Sequence, residues 1–136
     1  MKNLTNILKW SFVFLLLQGM VSCMDPIVMT DNGKTYNLSI DEVFQIQLPG
    51  NPTTGYSWRI MPYDETVVKQ LGEPSYKVND DKIGTGGIYT FKFQTIADGQ
   101  AELILNYARK WDSLTEPSRT FKIMIVSGTM GQILEE

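Results

Sequence analysis

From Lys34 to Val126 the chain repeats one short pattern. An apolar residue stands at every second position for a few residues, and then a polar or glycine-containing break follows. A period of two separates the side chains onto the two faces of an extended strand. The pattern predicts seven strands. Lys34–Ile40 puts Tyr36, Leu38 and Ile40 on one face, and Val43–Leu48 does the same with Phe44, Ile46 and Leu48. Tyr56–Met61 aligns Tyr56, Trp58 and Ile60, and the short run Ser75–Val78 aligns Tyr76 and Val78. Ile88–Ile96 aligns Tyr89, Phe91 and Phe93, and Ala101–Tyr107 aligns Ala101, Leu103, Leu105 and Tyr107. Arg119–Val126 closes the series with Phe121, Ile123 and Ile125. Asp31-Asn32-Gly33, Asp41-Glu42 and Asp98-Gly99 break the runs as turn formers do. The stretch Pro62–Gly72 follows neither period; Val67, Val68 and Leu71 would make one helical turn or a connection packed on the core. No segment sustains a helical repeat. The fold class is therefore all-β, an immunoglobulin-like β-sandwich of about seven strands, with an open β-barrel as the alternative. The Cys–Trp–Cys spacing of antibody domains is absent.

If successive strands run antiparallel, every second connection lies at the same end. Pro49–Gly55, Asn79–Gly87 and Ala108–Ser118 then share one pole, and long loops on a rigid scaffold are where binding residues concentrate. The first loop holds Asn51-Pro52-Thr53-Thr54-Gly55, followed by Tyr56. Pro52 fixes its own φ and keeps Asn51 out of the helical region, the two threonines hold few rotamers, and Gly55 can take a positive φ. That is a stiff turn with two hydroxyls at its tip and no acid, base or thiol; an ordinary tight turn has the same composition. The second loop holds Gly84-Thr85-Gly86-Gly87, open to three readings. It fits a flexible linker, a phosphate cradle without the helix and lysine that such cradles need, or a backbone able to approach a partner closely. The third holds Arg109-Lys110-Trp111. Arg and Trp are enriched among interface hot spots, although a tryptophan there would equally cap the end of the core.

Composition narrows the chemistry. The 136 residues include one cysteine and no histidine, with a formal charge of −3. Length allows one ordinary domain. Without histidine there is no Ser–His–Asp or Cys–His catalysis and no His-ligated metal site, and one cysteine makes neither an internal disulfide nor a thiolate cluster. The acidic balance lacks the basic footprint of a nucleic-acid binder. No cofactor or metal is expected. Neighbouring carboxylates, Asp80-Asp81 and Asp41-Glu42, would offer acid–base chemistry only if they converged, and adjacent residues in a turn or strand point apart.

The N-terminus reads as targeting sequence. Lys2 and Lys9 precede an apolar run, Trp10–Leu17, which is short for a bilayer span. It leads into Met20-Val21-Ser22-Cys23, a sequence similar to a bacterial lipobox, in which Cys23 becomes a lipidated N-terminus; a secretory signal with an incidental cysteine is the simpler alternative. The expected organisation is a signal peptide over 1–22, a tether over 23–33 with room for an edge strand, one sandwich domain over 34–128 and a tail over 129–136. The protein would be exported and lipid-anchored to the cell envelope, or secreted if Cys23 is not modified.

The ordered trio of loops resembles the chagasin family of cysteine peptidase inhibitors, which carries an NPTTG loop followed by an aromatic, a GxGG loop and an R-P-[FW] loop. Asn51–Gly55 with Tyr56 and Trp58 matches the first, Gly84–Gly87 the second, and Arg109-Lys110-Trp111 the third except that Lys110 stands where the family has proline. The resemblance implies an immunoglobulin-like fold and, as partner, a papain-like cysteine peptidase bound by a monomer. Pro52, Thr53, Thr54 and Gly55 would sit over the catalytic cysteine. Gly84, Thr85, Gly86 and Gly87 would meet one wall of the cleft, and Arg109 and Trp111 the other. Lys110 lacks proline's φ lock, so a looser third loop is expected. The competing function is a surface-anchored binding module for a ligand that is not a protease.

Overall fold

The computed structural model describes residues 24–79, 86–111 and 116–129. Cys23, Asp80, Asp81, Gly84 and Thr85 lie outside them, as do residues 1–22, where a signal peptide is expected, and 130–136. The described residues form two sheets packed face to face. The strands are β1 (Ile27–Val28), β2 (Thr35–Leu38), β3 (Val43–Gly50), β4 (Tyr56–Ile60), β5 (Val68–Gln70), β6 (Ser75–Val78), β7 (Gly87–Thr95), β8 (Gly99–Arg109) and β9 (Arg119–Ser127). One sheet runs β1-β3-β7, with β5 and β6 both beyond β7; the other runs β2-β9-β8-β4.

The alternation read from the sequence is the core. Phe44, Ile46, Leu48, Phe91, Phe93, Leu103, Leu105, Phe121, Ile123 and Ile125 are each no more than 2% exposed. They come from the two central strands of each sheet, where both edges are paired and the inner face is fully covered. Burial of side chains of this size contributes about 1.5–3 kcal/mol each. Phe44 and Phe93 stack across β3 and β7 with ring centroids 5.4 Å apart.

Two strands go beyond the seven expected. β1 forms in the tether and pairs parallel with β3, Ile27 opposite Ile46. β5 forms inside the stretch without a period. It pairs antiparallel with the far end of β7, Val68 opposite Thr95, while β6 pairs with the near end, Ser75 opposite Thr90. β5 and β6 thus run the same way along one edge of β7, as a single strand interrupted at 71–74. The parity of the later connections survives because the pair counts as one strand. Val67 and Val68 are buried, as a connection packed on the core requires. Two expected inward positions are not inward: Ile40 lies past the end of β2 and is exposed, and Val78 is exposed at the end of the edge strand β6. β2 also pairs parallel with β9 rather than antiparallel with a neighbour in sequence, so the chain crosses between sheets from β2 to β3.

Candidate functional site at one pole of the sandwich

Strands β3, β6 and β8 end at the same pole, and β4, β7 and β9 start there. The registers fix this: Gly50 lies opposite Gly87, Tyr56 opposite Arg109, and Val78 opposite Gly87. The three connections named in the sequence are therefore neighbours.

The first connection is one turn of 3-10 helix, Pro52–Thr54, closed by Gly55 at φ 83°. Asn51 caps it. Its side-chain oxygen accepts from the Thr53 N–H at 3.1 Å and from the Thr53 hydroxyl at 2.6 Å. The Thr54 hydroxyl donates to the Asn51 carbonyl at 2.7 Å, and the Gly55 N–H donates to the Pro52 carbonyl at 3.0 Å. Pro52 suits the first helical position because the N–H it lacks has no partner there anyway. Gly55 suits the left-handed end, where a side chain is strained. The turn is closed on itself, while Pro52, Thr53 and Thr54 are exposed.

Aromatic side chains from the core hold both legs of this turn. The indole N–H of Trp58 donates to the Pro49 carbonyl at 2.9 Å, and the Tyr107 hydroxyl accepts from the Asn51 N–H at 2.9 Å. Tyr107 stacks on Tyr56 at 5.3 Å and lies 5.0 Å from Trp58. The Arg119 guanidinium caps this group, 4.6 Å from the Tyr107 ring centre. Tyr107 was legible as a core position; its hydroxyl as an anchor was not. The available signal was a tyrosine at the last inward position of a strand, beside a loop, since a buried phenol needs a polar partner. Trp58 in the same way fills the core with its ring and serves the turn with its one donor.

On one side of the turn is the second connection. A Cβ on Gly86 would lie 3.1 Å from the Gly50 carbonyl oxygen, and Gly86 has φ 42°. Its carbonyl accepts from the Asn79 N–H at 3.2 Å, closing the base of this connection. Gly87, expected in the loop, is instead the first residue of β7 and buried. A Cβ there would lie 2.1 Å from the Lys77 carbonyl oxygen. The close backbone approach that glycine permits is thus made here to β6 of the same chain. Tyr76 and Tyr89 pack beneath, 4.8 Å apart. Burial pushes the Tyr89 hydroxyl's pKa up, and the neighbouring Tyr107 and Tyr76 add to this.

On the other side is the third connection. Trp111 is 72% exposed, so it does not cap the core. Its six-membered ring lies over Gly55: a Cβ on Gly55 would be 2.9 Å from Trp111 Cη2. The Arg109 guanidinium sits 4.8 Å from the Tyr56 ring centre and 5.9 Å from that of Trp111. Lys110 is exposed, and its carbonyl accepts from the Arg59 guanidinium at 3.2 Å. Arg59 projects from β4 on the outer face and had no role in the sequence reading. The described site residues, Asn51–Tyr56, Gly86, Gly87 and Arg109–Trp111, therefore lie together. They form a stiff central turn, a glycine edge on one side and a cationic, aromatic edge on the other.

The model of the family described as chagasin family peptidase inhibitor I42 matches residues 37–125, a span that includes all three connections. The chain is 30% identical over 102 residues to chagasin of Trypanosoma cruzi, covering 69% of this chain and 89% of that protein. It is 25% identical over 119 residues to amoebiasin-2 of Entamoeba histolytica, covering 87% and 97%. The crystal structure of a cysteine protease inhibitor from Entamoeba histolytica superposes with a TM-score of 0.64 at 25% identity, covering 74% of this chain and 91% of the other.

Proposed function

This chain belongs to the chagasin family of peptidase inhibitors, and from that premise we propose that it inhibits papain-like cysteine peptidases reversibly by plugging the active-site cleft with three loops. It is a cysteine peptidase inhibitor and not an enzyme. The observation that supports the mode of action is the closed turn at Pro52–Gly55, standing between Gly86 and Trp111 at one pole. A peptidase attacks an extended peptide whose scissile carbonyl it can polarise. Here the Asn51 and Pro52 carbonyls already accept hydrogen bonds within the turn, and the backbone is helical rather than extended. The turn offers shape and hydroxyls without offering a cleavable bond.

In this reading Asn51–Tyr56 enter the cleft above the catalytic cysteine. Gly84–Gly86 line one wall through their backbone, with Gly87 buried behind them in β7, and Arg109, Lys110 and Trp111 pack on the other. Preorganisation lowers the entropy lost on binding. Complexes of this kind bury about 800 Å² on each partner, an area within reach of three adjacent connections. One monomer engages one peptidase.

We also propose export, with residues 1–22 removed, lipid attachment at Cys23, a tether over 23–33, the inhibitor domain over 34–128 and a tail over 129–136. The support is the sequence around Cys23, and mass spectrometry of the mature N-terminus decides it.

Titration of the purified domain against papain and related peptidases is the direct test. Progressive, reversible loss of activity to near zero is expected. Replacing both Thr53 and Thr54 by glutamate should abolish inhibition while the domain stays folded with a modestly lower unfolding midpoint, because both side chains are exposed but their hydroxyls donate to Asn51. Full peptidase activity at micromolar domain, across several papain-like enzymes, defeats the proposal.

A further inference from the structure

The third connection carries lysine where the family motif has proline, and yet its backbone is tied down from a different direction. Lys110 follows directly on β8, and its carbonyl accepts the 3.2 Å hydrogen bond from Arg59. Arg59 lies opposite Asn106, and the outward-facing residue between Asn106 and Lys110 is Ala108. Ala108 is small and buried, so a long side chain can run along the outer face of the sheet from β4 to the loop. On the inner face Arg109 stacks between Tyr56 and Trp111, which keeps the loop's other side on β4. Proline would restrict the backbone at position 110 by locking φ. A guanidinium fixed to the carbonyl of the same residue restricts its peptide plane instead.

We propose that Arg59 is a positioning residue for inhibition: it replaces the missing proline lock, holding the Lys110 peptide so that Arg109 and Trp111 stand ready beside the central turn. Arg59 acts through Lys110 and does not itself need to touch the peptidase. The proposal rests on the inhibitory reading above, and a measurement on the free domain separates the two.

The test is a cycle of four domains: unmodified, Arg59→Ala, Lys110→Pro and the double variant. Each is measured for inhibition of papain, for its unfolding midpoint, and for hydrogen–deuterium exchange of the peptide spanning 108–112 in the free domain. Arg59→Ala is expected to speed exchange in that peptide and to weaken inhibition about three- to tenfold, the scale of ordering a short loop segment on binding. Its unfolding midpoint should stay within a degree or two, because the hydrogen bond is solvent-exposed. Lys110→Pro should restore most of the loss in the Arg59→Ala background and should change inhibition less in the unmodified domain, where Arg59 already holds the peptide. Equal effects of Lys110→Pro in both backgrounds, or exchange unaltered by Arg59→Ala, overturns the proposal. If the unmodified domain inhibits no papain-like peptidase, the inhibitory reading fails and takes the proposed role with it, whereas exchange in the free domain still reports on the clamp itself.

Discussion

Gly55 answers two demands at once. Its φ of 83° lies in the left-handed region, and its open α-carbon is the floor on which the Trp111 ring rests. An alanine would bring a backbone penalty of about 1–2 kcal/mol and a methyl 2.9 Å from Trp111 Cη2. Trp111 is exposed and free to give way, so the crowding can be relieved while the backbone strain remains. Gly55→Ala should therefore lower stability modestly and weaken peptidase inhibition by about tenfold or more, since both the turn and the tryptophan lose their places. Gly55→Asn separates the two effects, because asparagine tolerates the left-handed region. It should recover much of the stability and little of the inhibition, as measured by urea unfolding beside a papain titration. The need for a positive φ at this glycine was legible from Asn-Pro-Thr-Thr-Gly alone. The reason for Gly87 was not, because the atom that excludes a side chain there belongs to β6, ten residues earlier in sequence, and only the register brings it close.

The elements that the sequence disclosed are those with enough residues to show a period. β3, β7, β8 and β9 are long, paired on both edges and buried on one face, so their alternation is complete. β1 and β5 have two and three residues, too few to alternate, and their pairing is imposed by the strands beside them. β5 is held in place by the turn before it. The Asp64 carboxylate accepts from the Thr66 N–H at 3.0 Å and from the Thr66 hydroxyl, while the Val67 and Val68 N–H groups reach the Asp64 carbonyl. The Thr66 side chain, then its backbone N–H, hold the Asp64 carboxyl below its usual pKa. A depressed carboxylate stabilises the fold above its unfolded pKa and loses that contribution as pH falls through the folded value. Asp64→Ala should thus cost stability at neutral pH, and the gap from the unmodified domain should close in acid below the carboxylate range, as followed by denaturation at several pH values. β8 carries the other consequence at this scale. The buried part of its inward row ends at Tyr107, whose ring belongs to the core and whose hydroxyl belongs to the turn. Tyr107→Phe keeps the ring contacts with Tyr56 and Trp58 and removes an acceptor from the partly buried Asn51 N–H. Loss of such a partner costs about 1–3 kcal/mol. Denaturation should show a fall in that range, and inhibition should weaken although Tyr107 itself is buried and meets no peptidase.

At the scale of the whole molecule, the direction of β1 relates the start of the chain to the loops. β1 runs parallel to β3 with Ile27 opposite Ile46 and Val28 opposite Gln47, and β3 reaches the loop pole at Gly50. Stepping back along β1 from Ile27 therefore leads away from the three loops. β8 spans 11 residues between the poles, a length of about 35 Å at the rise of an extended strand. With the proposed anchor at Cys23, a chain leaving β1 away from the loops would keep the inhibitory pole turned from the surface, open to a peptidase arriving from solution. The prediction compares two attachment points on vesicles bearing thiol-reactive lipids. The domain coupled through Cys23 should inhibit soluble papain within about twofold of the free domain. A Cys23→Ser, Glu116→Cys variant, coupled through the exposed position in the third connection, should lose most of its inhibition on vesicles and retain it when uncoupled. Equal inhibition from the two attachments would mean that the loop pole is not the surface that meets the enzyme. Equal loss from both would mean that the tether, rather than the orientation of the sandwich, limits access. Only the asymmetric result follows from the proposed anchor preceding a two-residue strand whose parallel pairing with β3 sets its start on the side away from the loops.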